Sequence, residues 1–79
     1  LDLAYIALEK GGNVACSLNA ANEIAVAAFL KDKIKFLEMS EVIEQSMEKI
    51  SFIKNPGLED LIATDNETRI KSKEIISRK

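Results

Sequence analysis

From residue 20 to residue 30 every position is apolar except Asn22 and Glu23, and most are strong helix formers. The stretch Ser17-Leu-Asn-Ala-Ala-Asn-Glu-Ile-Ala-Val-Ala-Ala-Phe-Leu30 therefore predicts a helix. A helix apolar around its whole circumference belongs inside a domain, because burial removes apolar area from water at a gain of roughly 25 cal/mol per Å². It is too short to cross a bilayer, which needs about 20 apolar residues. The pattern makes it a central pole: its alanines let neighbouring helices approach, and Ile24, Val26, Phe29 and Leu30 supply bulk.

The flanking patterns are helical too. Leu1, Ala4, Tyr5 and Leu8 recur at helical spacing with Leu3 and Ala7 beside them, and Gly11-Gly12 tolerates the positive φ of a helix C-cap. Residues 13–16 read as a short connection, with Ser17 or Asn19 as the cap of the central helix. Ile34, Phe36, Leu37 and Met39 form an apolar connector expected to fold back on the core. Ser40 is the expected N-cap of an amphipathic helix whose stripe is Met39, Val42, Ile43, Met47 and Ile50, and which stops near Phe52 or Ile53, before Asn55-Pro56-Gly57. Leu58, Leu61 and Ile62 predict one or two turns. A new helix is expected at Thr64 or Asp65, since Thr64 and Glu67 have capping-box spacing, running toward Arg78 with Ile70, Ile75 and Ile76 as its apolar positions. No alternating strand pattern occurs, and the connections are short. The expectation is an all-α fold, a small antiparallel bundle of about four helices around the Ala-rich one.

Composition narrows the function more than the fold. With 79 residues the chain holds one domain, near the size at which a single core just suffices. Eleven basic and 13 acidic residues leave a net charge of −2, so neither nucleic acid nor an anionic membrane is favoured as a partner. The lone Cys16 cannot form an internal disulfide, which fits a reducing cytoplasm. Histidine is absent, and with it the usual general base near neutral pH and the commonest metal ligand. The chain opens at Leu1 inside an apparently helical run, which reads as part of a longer polypeptide.

Candidate chemistry is sparse. Asn19, Asn22 and Glu23 interrupt a helix that otherwise calls for dry surroundings, and buried polar groups need partners. They either cap the helix and meet adjacent loops or face another domain or a ligand. The acidic residues Glu59, Asp60, Asp65 and Glu67 match no calcium loop and read as solvated caps. Cys16 has no histidine to activate it. Gly11-Gly12 lacks the spacing and preceding strand of a phosphate loop, and Met39 and Met47 read as core filling.

The run Leu18-Asn-Ala-Ala-Asn-Glu-Ile-Ala-Val-Ala-Ala-Phe-Leu30, followed by Ile34-Lys-Phe36, resembles the C-terminal region of the 1-deoxy-D-xylulose 5-phosphate reductoisomerase family. Leu58-Glu-Asp-Leu-Ile with Asp65, Glu67 and Arg69 is similar to that family's closing segment. The resemblance implies a helical domain of an enzyme that converts 1-deoxy-D-xylulose 5-phosphate to 2-C-methyl-D-erythritol 4-phosphate with NADPH and a divalent cation (Mg, Mn or Co), in the non-mevalonate route to isoprenoids. It implies a homodimer, cytoplasmic in bacteria or plastidial in plants and algae. The partner implied for this chain is the catalytic domain of the same polypeptide, with Asn19, Asn22 and Glu23 as interdomain contacts. No catalytic, cofactor or metal residue of the family maps here; Asp65-Asn66-Glu67 has the letters of a metal motif in a different context. The chain alone is expected to be inactive and to expose apolar surface that favours self-association. The rival expectation is an autonomous helical adaptor that binds an amphipathic helix in a groove near Met39, Val42 and Met47.

Overall fold

In the computed structural model, which describes residues 2–79, four helices carry the apolar positions: α1 (Leu3–Lys10), α2 (Val14–Leu30), α3 (Glu38–Glu48) and α4 (Leu58–Ser77). No strand forms among the described residues, as the pattern predicts. Hydrogen-bond partners give the directions. Asn13, Ser17 and Glu23 meet Thr64, Thr68 and Arg69 in turn, so α2 and α4 run side by side in the same sense. Ser46 meets Ser72 and Glu41 meets Lys79, so α3 runs against both. Consecutive helices are thus antiparallel in an up-down-up arrangement of α2, α3 and α4, with α1 laid against α2.

Most helix ends differ from the local signals, and each difference has a cause. The Asp2 carboxylate caps α1 by accepting from the Tyr5 N–H at 3.2 Å, and α1 ends at Gly11 as expected. Leu1 lies outside the described residues. α2 begins at Val14, so Ser17 and Asn19 are inside the helix and not its caps; Asn13 takes the N-cap position, but its side chain is bonded elsewhere. α3 starts before Ser40, with Leu37 in the N-cap position and no side-chain cap; the Glu38 carboxylate accepts from the Lys35 N–H at 2.7 Å and ties the connector to the first turn. It stops at Glu48, well short of Phe52, because Asn13 captures the chain at 51–53. α4 is one helix of 20 residues with no break at Thr64 or Asp65. Asp60 accepts from the Gly57 N–H at 3.0 Å at its start, and nothing in the sequence of α4 breaks helix afterwards.

The core is built mainly from small residues of α2. Ala21, Ala25 and Ala28 meet Ile34, Val42, Ile43 and Ile75, with Leu3, Leu18, Phe29, Met39, Met47 and Ile76 packed around them. Ile34 folds back as predicted, but Phe36 and Leu37 do not and stay exposed, as does Leu30. The Phe36 ring instead meets the Phe29 ring edge-on, centroids 5.9 Å apart. Nor is α2 enclosed on all sides. Ala15, Asn19, Asn22, Glu23, Ala27 and Leu30 form a solvent face opposite the core.

A seam of buried polar side chains joins the helices. Asn13, Ser17, Ser46, Thr64, Thr68 and Ser72 are all buried, and among the described residues no buried side-chain polar atom lacks a partner. The Ser46 hydroxyl lies 2.6 Å from the Val42 carbonyl, the Ser72 hydroxyl 2.8 Å from the Thr68 carbonyl, and the two hydroxyls 2.9 Å from each other. Two protons face three acceptors there, so only two of the three contacts are hydrogen bonds at any instant. Ser72→Ala leaves Ser46 its bond to Val42 and strands nothing, so urea unfolding should show a loss of about 1 kcal/mol or less.

Candidate functional site

The site nominated by the sequence, Asn19, Asn22 and Glu23, lies on the exposed face of α2. Asn19 and Glu23 are one turn apart, and Asn19 Nδ2 donates to Glu23 Oε2 at 3.2 Å. The same carboxylate oxygen accepts from Arg69 Nη2 of α4 at 3.0 Å, while Arg69 Nε donates to Asp65 Oδ2 at 3.0 Å. Asp65 first, then Glu23, hold the guanidinium firmly in its charged form and push its pKa up. Asn19, Glu23, Arg69 and Asp65 thus form one chain of polar contacts across the α2–α4 boundary, with Asn22 exposed beside it.

The other nominated chemistry does not converge. Asp60 caps α4 and Asp65 pairs with Arg69, and no group of three or more His, Cys, Asp or Glu among the described residues could hold a metal ion. Cys16 is half-buried with its Sγ 3.3 Å from the Leu61 carbonyl. Burial pushes the thiol pKa up and the Asp65 charge adds to this, against a smaller opposing effect of Arg69. The group therefore stays a neutral thiol at mildly alkaline pH. Alkylation by iodoacetamide at pH 8, followed by mass spectrometry, should be several-fold slower than for an unstructured cysteine peptide.

The groove expected near Met39, Val42 and Met47 is not formed by those three residues. Val42 is fully buried in the core, and Met39 packs against it. Met47 alone lines a groove of about 310 Å³ between α1 and α3, with Leu3, Ile6, Val14, Ile50 and Phe52. No helix among the described residues is long and apolar enough to cross a membrane.

Sequence reasoning missed Asn13 and the hydroxyl row of α4. Asn13 Nδ2 donates to the Ser51 carbonyl and to Thr64 Oγ1, each at 3.0 Å, and Asn13 Oδ1 accepts from the Ile53 N–H at 2.9 Å. A signal for the row was present: Thr64, Thr68 and Ser72 recur every four residues, in line with Leu61 and Ile75.

Comparison with known proteins agrees with the helical fold. The family described as "DXP reductoisomerase C-terminal domain" matches residues 1–71. A 1-deoxy-D-xylulose 5-phosphate reductoisomerase of Bacteroides fragilis is 50% identical over 78 residues, 99% of this chain and 20% of that protein. Its counterpart from Phocaeicola vulgatus is 59% identical over 69 residues, 87% of this chain and 18% of that protein. Among solved structures, the 1-deoxy-D-xylulose 5-phosphate reductoisomerase from Zymomonas mobilis in complex with NADPH superposes with a TM-score of 0.84 at 41% identity. That match covers 94% of this chain and 20% of the other. The chain thus spans about a fifth of the length of the relatives it matches. On its helices, its sequence and the family match over residues 1–71, the chain belongs to the DXP reductoisomerase C-terminal domain family.

Proposed function

We propose that these 79 residues are the C-terminal helical domain of a 1-deoxy-D-xylulose 5-phosphate reductoisomerase and brace its catalytic part, using Asn19, Asn22 and Glu23 as contacts. The observation that carries this reading is the likeness, at 41% identity over 94% of the chain, to one fifth of a reductoisomerase whose structure is described with NADPH. In that setting the enzyme converts 1-deoxy-D-xylulose 5-phosphate to 2-C-methyl-D-erythritol 4-phosphate, works as a homodimer, and resides in the cytoplasm of a bacterium or in a plastid. The donor set of this chain does not fit either NADPH or the divalent cation. Gly11-Gly12 ends a helix and follows no strand, Asp60 and Asp65 are engaged in a cap and an ion pair, and no three carboxylates among the described residues converge. Both groups belong to the preceding polypeptide.

The brace explains an otherwise costly surface. Tyr5, Leu8, Leu30, Phe36, Leu37, Phe52, Leu58, Ile62 and Ile70 are all more than half exposed, apolar area that a docked domain would remove from water. The test is NADPH consumption by the polypeptide encoded across the whole reading frame, with deoxyxylulose phosphate and Mg²⁺. Turnover by the whole polypeptide is expected; a whole polypeptide that leaves NADPH untouched overturns the assignment. The double substitution Asn22→Ala with Glu23→Ala should lower both turnover and melting temperature of that enzyme. Unchanged values for both reject the contact role.

A further inference from the structure

Because α2 and α4 run side by side in the same sense, their carboxy-terminal ends come together at one end of the bundle. Between them lies a groove of about 490 Å³. Its floor is apolar, made by Ile24, Ala27 and Ala28 of α2 and Ile76 of α4. Its rim carries three lysines, Lys31 at the end of α2, Lys33 in the connector that follows and Lys73 on α4. All three are exposed, and the ion pairs among the described residues engage Arg69, Lys71 and Lys79 instead. Other grooves on the chain carry carboxylates: Glu44 and Glu48 between α1 and α3, Asp32 and Glu38 beside Phe36, Asp60 and Glu67 beside Ile53. This one is lined by none. Lysines near a helix C-terminus are ordinarily explained by the helix dipole, but here the dipole does not suffice. Each helix end amounts to about half a negative charge, so the two ends offset about one lysine of the three and leave about two positive charges above an apolar floor. That surplus stands in a chain whose net charge is −2.

We infer that this groove docks an acidic segment with an apolar anchor, supplied by the preceding part of the same polypeptide. The anchor lies on Ile24, Ala27 and Ile76, and the carboxylates flanking it meet Lys31, Lys33 and Lys73. The inference rests on the reductoisomerase reading and gives the contact a place and a chemistry. The place is continuous with the polar chain across the α2–α4 boundary, since Ala27 and Lys73 each follow one turn after Glu23 and Arg69. Charge selects the sign of the occupant, and the floor selects its kind. A free inorganic anion or a phosphate backbone would use the lysines and leave the apolar floor in water, whereas an acidic peptide with an apolar residue satisfies both. Length supplies the source, because this chain spans about a fifth of its relatives and the matched family is described as a C-terminal domain.

The test is carbodiimide cross-linking of the whole polypeptide, which joins a lysine amine to a carboxylate where the two touch, followed by peptide mass spectrometry. Lys31, Lys33 or Lys73 should link to Asp or Glu residues ahead of residue 1, and a mixture of isotopically light and heavy protein should show those links within one polypeptide. Links to a second copy overturn the inference, and so does the lack of any link from these lysines to carboxylates ahead of residue 1. Acetylation gives an independent readout. A paired ammonium gives up its proton less readily, so the three lysines should be acetylated roughly threefold or more slowly than the exposed Lys54, and equal rates overturn the docking. The double substitution Lys33→Glu with Lys73→Glu alters only exposed side chains, and circular dichroism checks that the helices persist. In that variant Lys31 should lose both its cross-links and its protection; if it keeps them, the two removed lysines do not hold the segment and the inference fails. NADPH turnover in the same preparation separates the two claims: active enzyme with freely acetylated lysines rejects the docking alone, and protein that leaves NADPH untouched overturns the reductoisomerase reading.

Discussion

Gly12→Ala should lower the stability of this domain by about 3 kcal/mol or more, a large share of what a chain of this size has to lose. Gly12 has φ +58°, a left-handed conformation that penalises an L side chain by about 1 kcal/mol. The space is closed as well. An added Cβ would overlap the Ile53 carbonyl oxygen and come within 2.9 Å of Phe52 Cε1. The obstacle is backbone, and it is the same carbonyl that accepts the Asn13 N–H at 3.1 Å. Alanine therefore has to push residues 52–53 away from α2, which breaks that bond and its neighbour from the Ile53 N–H to Asn13 Oδ1 at about 1 kcal/mol each. Gly11→Ala is the control. Gly11 also has a positive φ, +64°, but an added Cβ there meets nothing within 4 Å, so the substitution carries strain without collision. Thermal unfolding by circular dichroism should rank wild type above Gly11→Ala and Gly11→Ala above Gly12→Ala. Equal losses would show that the collision is relieved at no cost.

The contrast between these glycines marks what the sequence could and could not disclose. That Gly11-Gly12 ends a helix is local information, and so is the helical character of residues 20–30 and the stripe of Val42, Ile43 and Met47. Each follows from neighbours within one or two turns. The helix starts at residues 14 and 38, the early end at Glu48 and the continuity of α4 through Thr64 were not legible, and the larger of these differences share one source. Asn13 bonds to partners 38, 40 and 51 residues away, and those bonds outcompete local capping signals of about 1 kcal/mol. The candidate site divides in the same way. Asn19, Asn22 and Glu23 stood out as polar breaks in an apolar run, but nothing near Glu23 in the chain announces Arg69, 46 residues on. α2 was read as enclosed on every side because the helix as a whole has an interior composition; in the structure its polar positions Asn19, Asn22 and Glu23 share the outward face with Ala15, Ala27 and Leu30.

Asn13→Ala is the second substitution with a large expected effect, because one side chain there serves three elements. Asn13 is 1% exposed and uses both amide protons and its oxygen: toward the Ser51 carbonyl and Thr64 Oγ1 as donor, toward the Ile53 N–H as acceptor. Alanine removes all three bonds. Thr64 can rotate its hydroxyl to another acceptor, but the Ile53 N–H and the Ser51 carbonyl are left without side-chain partners, so the loss should be about 3 kcal/mol, read by urea denaturation. Asn13→Asp has nearly the same shape and tests the reason. It keeps an acceptor for Ile53 but sets a second carboxylate oxygen against the Ser51 carbonyl, in a site with almost no water. Near neutral pH it should be at least as damaging as alanine. Burial and the facing carbonyl both disfavour ionisation, so the folded-state pKa of the introduced carboxyl is raised above its unfolded value of about 3.9. A group raised in this way contributes its stability in full below the unfolded value and loses it as pH rises through the folded one. The gap between Asn13→Asp and wild type should therefore narrow on acidification toward pH 4, where the protonated carboxyl regains a donor for Ser51, while the gap for Asn13→Ala stays constant. If Asn13→Asp matches wild type at neutral pH, the donated bonds are not what holds 51–53 in place, and the early end of α3 needs another cause.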